Sequence, residues 1–125
     1  MEINLPDVKA EVEAAFAIYE AALVGNHVET LQTLFWDSDL TIRYGTGENL
    51  HGIAEIAAFR AARSPLGLAR TTSRTVITTF GRDFATASTL FHRSPNKVGR
   101  QMQSWVRMPD GWRVVAAHVS VIEAA

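Results

Sequence analysis

The hydrophobic period changes once along this chain, and that change limits what it can fold into. Up to Arg63 the apolar residues recur at helical spacing, whereas from Leu68 onward they alternate, and β-branched and aromatic residues dominate. Pro6-Asp7 opens a first helix with Val8, Val12, Phe16, Tyr19 and Leu23 on one face, and Gly25-Asn26 stops it. Val28 to Phe35 predicts a second, shorter helix. Ile53 to Arg63 predicts a third, with Ile53, Ile56, Ala57 and Arg60 on one side and Ser64-Pro65 as its end. Beyond it lie four strand-like runs, 69–80, 84–92, 99–108 and 112–121. The turns between them are Gly81-Arg82-Asp83, Ser94-Pro95-Asn96-Lys97 and Pro109-Asp110-Gly111.

Helices followed by an antiparallel meander predict an α+β domain with the helices on one face of a curved sheet. At 125 residues and 47% hydrophobic content, residues 1–125 suit one domain, and no Pro/Gly/Ser-rich linker divides them. The absence of cysteine excludes disulfides and thiolate chemistry. The first seven residues lack a basic start with an apolar core, and no apolar run approaches the roughly 20 residues of a membrane helix. The expectation is a cytoplasmic protein without membrane partners. Charge is lopsided: residues 1–39 hold eight acids against Lys9 alone, and residues 40–125 hold eleven bases against five acids. Ten of the twelve cations are Arg, whose planar fork suits carboxylates and phosphates. The bases are scattered along strands rather than run together with aromatics, which argues against nucleic acid.

Between the second and third helical segments lies the densest polar and glycine-bearing run, Thr41 to Gly52. Leu40–Tyr44 and Glu48–His51 read as a hairpin across Gly45-Thr46-Gly47. Arg43 closes an apolar strand there. Burying a guanidinium without a partner is costly, so it either points to solvent or meets something anionic in a pocket; Glu48 across the hairpin is one such partner. Tyr19, on the apolar face of the first helix, is either an amphipathic core residue or a pocket hydroxyl able to donate a proton.

Other candidates are less sharply placed. Strand alternation groups His118 with Trp112, Val114, Ala116 and Ser120, as a core histidine or a base. Ser104 has no hydrolase-type His/Asp motif nearby, and either face of its strand could line a cavity. Arg60, Arg63, Arg70 and Arg74 are further cations able to hold an anion. His27, His51, His92 and His118 show no metal-ligand spacing, so no metal site is expected. A steroid-isomerase chemistry would need a carboxylate base, and the late strands carry none before Glu123 outside turn residues Asp83 and Asp110.

The element order resembles the cone-shaped fold of nuclear transport factor 2 (NTF2-like), ketosteroid isomerase and the SnoaL-like polyketide cyclases, in which the sheet wraps a pocket closed by the first helices. Particular strings resemble one small family more closely. They are Tyr19-Glu20-Ala21-Ala22-Leu23, Leu34-Phe35-Trp36, Arg43-Tyr44-Gly45-Thr46-Gly47-Glu48-Asn49-Leu50, Phe59-Arg60-Ala61-Ala62-Arg63, Gly81-Arg82-Asp83-Phe84-Ala85 and Gly99 to Val106. By these the chain is similar to the AtzH family of bacterial cyanuric acid catabolism and its HpxZ relatives in oxalurate catabolism. The resemblance implies a cofactor-independent, decarboxylating amidohydrolase that converts 1,3-dicarboxyurea to allophanate, in a pathway with an amidase-signature hydrolase. It also implies Tyr19 and Arg43 as the catalytic pair; from the residues themselves, Arg60, Arg70, Ser104 and His118 are the candidate substrate-binding residues. The competing expectation is a non-catalytic ligand-binding or accessory protein of ureide catabolism. A homodimer or higher homo-oligomer is expected, because long sheets of this type pair face to face.

Overall fold

A computed structural model describes residues 1–124. Its elements run α1 (Pro6–Val24), α2 (Val28–Leu34), β1 (Ile42–Tyr44), β2 (Asn49–His51), α3 (Ile53–Ala62), β3 (Thr71–Phe80), β4 (Phe84–His92), β5 (Lys97–Met108) and β6 (Gly111–Glu123). Three helices pack on a curved, open six-stranded sheet of order β2-β1-β6-β5-β4-β3, the NTF2-like cone that the element order predicts. Among the six strands only β1 and β6 pair in parallel, and the other strand pairings are antiparallel.

The helix boundaries follow from local chemistry. Pro6 starts α1, where a missing N–H costs nothing. At its end the left-handed residue is Asn26, with φ 52°, and not Gly25, which stays right-handed at φ −83°. The second helix ends at Leu34, one residue before the predicted Phe35, because Phe35 turns extended and bridges to Val114 of the sheet. The core lies between the helices and the inner face of the sheet. Val8, Val12, Phe16, Tyr19 and Leu31 meet Ala85, Ala87, Trp105, Trp112 and Val114 there.

One irregularity resets the sidedness of the last strand. Val114 pairs with Trp105 and Ala116 with Ser104, so Val115 is an extra residue, a β-bulge. Before the bulge Trp112 and Val114 face inward; after it Ala117 and Val119 do, and Ala116 and His118 turn to the outer face. A strict alternation through the strand therefore misplaces His118. A second bulge, between Ser73 and Val76 of β3, holds Arg74 at φ 52°.

Candidate functional site

Where α1, the β1–β2 hairpin and the inner sheet face converge, a recess of about 270 Å³ opens. Its lining includes Tyr19, Arg43, Glu48, Phe59, Arg63 and Arg70, with Phe91, Arg93 and Gln101 on the sheet side. Arg43 arrives here because β1 pairs Arg43 with Leu50 and Ala117, all three buried on the inner face, while Ile42 and Tyr44 take the other. Tyr19 arrives from the helix stripe that also buries Phe16 and Leu23. Its ring is stacked with Phe16 and meets Trp105 edge-on at 6.4 Å between centroids.

Arg43 is 8% exposed and gives Nη1 to Glu48 Oε1 at 2.9 Å, the hairpin pairing foreseen as one of its partners. Glu48 folds back to do this, and its other oxygen accepts from the Gly47 N–H. A side chain at Gly45 would forbid the arrangement, since a Cβ there would lie 1.7 Å from Glu48 Oε1. Among the described residues this is the only hydrogen bond of the Arg43 fork, and Phe59 lies 5.3 Å from its centre.

Arg70 lines the recess, but two of its three guanidinium nitrogens are taken. Nε and Nη2 grip both Glu20 oxygens, at 2.9 and 2.6 Å, and Nη2 also reaches Gln101 Oε1 at 3.0 Å. Its side chain is 2% exposed and stacks 4.5 Å from the centre of the Phe91 ring. It holds the wall of the recess rather than offering a free fork. Arg93, just beyond β4, lies over the same ring at 5.0 Å. The ring can occupy that position because Gly99 opposes it: a Cβ on Gly99 would come within 2.1 Å of Phe91.

Arg60 is the anomaly. It is 1% exposed, and among the described residues none of its guanidinium nitrogens has a hydrogen-bond partner. Its charge sits 4.7 Å above Phe35, whose ring also packs against Tyr19. It does not line the recess; it lies behind it, which corrects the expectation of direct substrate contact. Burial pushes its pKa below the ordinary guanidinium value, opposed by Tyr19 beside it and reinforced by Arg43 and Arg63. Burial and the Arg43 charge likewise lower that of Arg63, and desolvation and the Arg70 charge that of Arg93.

Two predicted binding residues are absent from this recess. Ser104 and His118 lie on the outer face, in a separate depression with Ile42, Tyr44, Thr86 and Met102. For His118 the bulge is the reason; Ser104 faces out because Gln103 and Trp105 on either side are buried. Arg74 also lines an outer-face groove. Arg93 was missed, although it continues the inward alternation of Phe91 by one step past the strand. A larger cavity of about 520 Å³ lies among α2, α3 and the β5–β6 turn, but its Arg113 is spent on Asp110 and the Trp112 carbonyl.

Among the described residues the unpaired buried atoms include one acceptor, Gln32 Oε1, and the Thr79 hydroxyl, but most are donors. Arg60 Nε, Nη1 and Nη2, Arg63 Nε, and the amide nitrogens of Gln101 and Gln103 are all donors without acceptors. Five arginines stand in or behind the recess against two glutamates, Glu20 and Glu48, each already paired. Such a site suits a small, acceptor-rich anion. Among the described residues no group of three or more His, Asp or Glu converges to hold a metal, and no helix is long and apolar enough to cross a membrane.

No curated protein matches the chain. Among solved structures, a protein of unknown function from Pectobacterium atrosepticum is 59% identical, with 96% of this chain and 94% of that one covered and a TM-score of 0.94. A cystatin-like fold protein from Burkholderia xenovorans is 50% identical over 100% of this chain and 99% of that one, with a TM-score of 0.95. An NTF2-like protein of unknown function from Pseudomonas putida shares the fold at 13% identity, covering 91% and 86% with a TM-score of 0.75. A family model matches residues 1–125 from end to end, and by that match the chain belongs to the AtzH-like family.

Proposed function

We propose that the protein is a cofactor-independent decarboxylating amidohydrolase acting on a small carboxylated urea, 1,3-dicarboxyurea, to give allophanate. The observation that carries this reading is the convergence of surplus cations, with unpaired buried donors on Arg63 and Gln101, on a recess that also holds Tyr19. Its volume of about 270 Å³ is below the roughly 300–1,000 Å³ of drug-sized ligand pockets, as a short ureide requires. Membership of the AtzH-like family supports the same substrate class.

In the proposed step the bond between a urea nitrogen and its carboxylate carbon breaks and carbon dioxide leaves. The bonding electrons remain on the ureide, spread over nitrogen and the urea oxygen, and one proton restores the N–H. The dianion plus one proton thus gives the allophanate monoanion and carbon dioxide. Two groups of the recess match those needs. Arg43, largely withdrawn from water, stabilises the negative charge as it develops, where a preorganised cation is worth far more than in bulk solvent. Tyr19 supplies the proton to the atom that becomes basic. Glu48 occupies one nitrogen of Arg43 and leaves the remaining donors for the substrate.

The reading is tested by adding freshly generated 1,3-dicarboxyurea to the purified protein and following carbon dioxide. Arg43→Ala is expected to lose about 100-fold or more in kcat/KM, and Tyr19→Phe about 100-fold or more in kcat. Near-normal turnover in both variants would overturn the residue assignment. Ligand binding by the wild type without turnover would mean an accessory, non-catalytic protein.

A further inference from the structure

The dianionic substrate has a second carboxylate, which it keeps, and the recess holds two cations with nothing else to do. Arg63, on the residue that ends α3, has an unpaired Nε, and its Nη2 has only a long contact of 3.5 Å to Asn26 Oδ1. Arg93 has no carboxylate partner among the described residues, and its face is taken by Phe91 alone. Both line the same recess as Arg43. Arg43 and Arg93 each lower the pKa of Arg63 by repulsion, and Arg70 does so for Arg93, so the guanidiniums stand close enough to feel one another. Crowding like charges at a recess is unfavourable unless an anion relieves it.

The rejected alternatives sharpen the choice. Arg70 already grips Glu20 with two nitrogens and Gln101 with one of them. Arg60 lies behind the lining, and Arg74 is on the other side of the sheet. We propose that the recess is a two-point dianion site in which Arg63 and Arg93 together hold the carboxylate that the substrate retains, while Arg43 faces the end that reacts. They are thus specificity-determining residues: they would select doubly charged ligands over singly charged ones and hold the symmetric ureide so that one of its two equivalent ends reaches Tyr19. This rests on the substrate class proposed above but makes a separate claim about binding.

Glutarate is a suitable inert probe, because its two carboxylates are separated by three chain atoms, as in a dicarboxylated urea; butyrate is the same chain with one charge. Calorimetric titration of the wild-type protein is expected to give glutarate an affinity at least about tenfold above that of butyrate. Arg63→Gln and Arg93→Gln should each lower glutarate affinity about tenfold and leave butyrate nearly unchanged, erasing the preference. Arg74→Gln should change neither. Thermal melts of the variants, which alter side chains that do not belong to the core cluster, check that folding is intact. No preference for glutarate in the wild type, no glutarate binding at all, or an unchanged preference in both variants would each overturn the proposal. If the preference behaves as expected while 1,3-dicarboxyurea is not turned over, the dianion site stands and the decarboxylase reading falls.

Discussion

At the sheet side of the recess the buried Arg70 side chain is ion-paired; behind the helical side the buried Arg60 has no carboxylate partner among the described residues, only a ring face and the neighbouring Tyr19. Residue type and depth are nearly the same, so the difference lies in the neighbours. Glu20 projects from α1 to meet Arg70 at 2.6 Å, and Gln101 on β5 completes the set. Arg60 is packed among Phe35, Tyr19 and two further arginines. One charge fastens helix to sheet, whereas the other is held in a position that stability alone would not choose. Buried charge can therefore mark structure or function, and the partner decides which.

The comparison can be broken most directly at Glu20. Glu20→Ala would leave Arg70 buried and uncompensated, and a loss of about 3–5 kcal/mol in chemical denaturation is expected. A loss under about 1 kcal/mol would mean that water or another donor set rescues Arg70, and the contrast would collapse. Arg60→Met should behave in the opposite way. It removes an unpaired charge at the cost of a cation–π contact, so a gain of about 1 kcal/mol in stability is expected, together with a fall in turnover. A destabilised variant would show that Arg60 is structural after all.

The smallest effect belongs to an ion pair of similar geometry outside the core. Arg82 reaches Asp7 at 2.6 Å with both side chains more than half exposed. The hydrogen bond and charge of Arg82 hold the Asp7 carboxyl below its usual value of 3.8. A depressed carboxyl contributes at pH above 3.8 and loses its contribution as pH falls through the lower folded value. Arg82→Ala should therefore lower the melting temperature only slightly at neutral pH, because solvent screens the pair, and the difference should vanish as pH falls below the depressed folded value. A large shift at pH 7 would mean that pairing matters regardless of burial.

Much of this layout is legible in the residues. The change of period separates helices from sheet near Leu68, and the Val8–Val12–Phe16–Tyr19–Leu23 stripe puts Tyr19 inside without any structure. The pairing of Thr41 with Arg43 on one strand face, and the glycines that follow, place Arg43 at a hairpin where Glu48 can return to it. Three things are not legible. A bulge costs one residue and leaves no mark in an apolar run such as Val114-Val115-Ala116-Ala117, so His118 is assigned to the wrong face. The partner of Arg70 lies 50 positions away on the first helix, a separation that only tertiary packing closes. Arg93 sits beyond its strand, next to Ser94-Pro95, where a turn is the natural reading and an inward-facing cation is not.

The bulge at Val115 behaves like a reading frame for sidedness. Every residue after it owes its inward or outward orientation to that single extra position. Removing it would exchange the two columns downstream at one stroke: Ala117, Val119 and Val121 would swap places with Ala116, His118 and Ser120. An apolar wall of the recess would become polar, and an exposed histidine would enter among the arginines. In genetic terms, a three-base deletion at this codon would rewrite a whole face of the strand while leaving every other codon intact, so sequence length here is as strongly constrained as sequence identity.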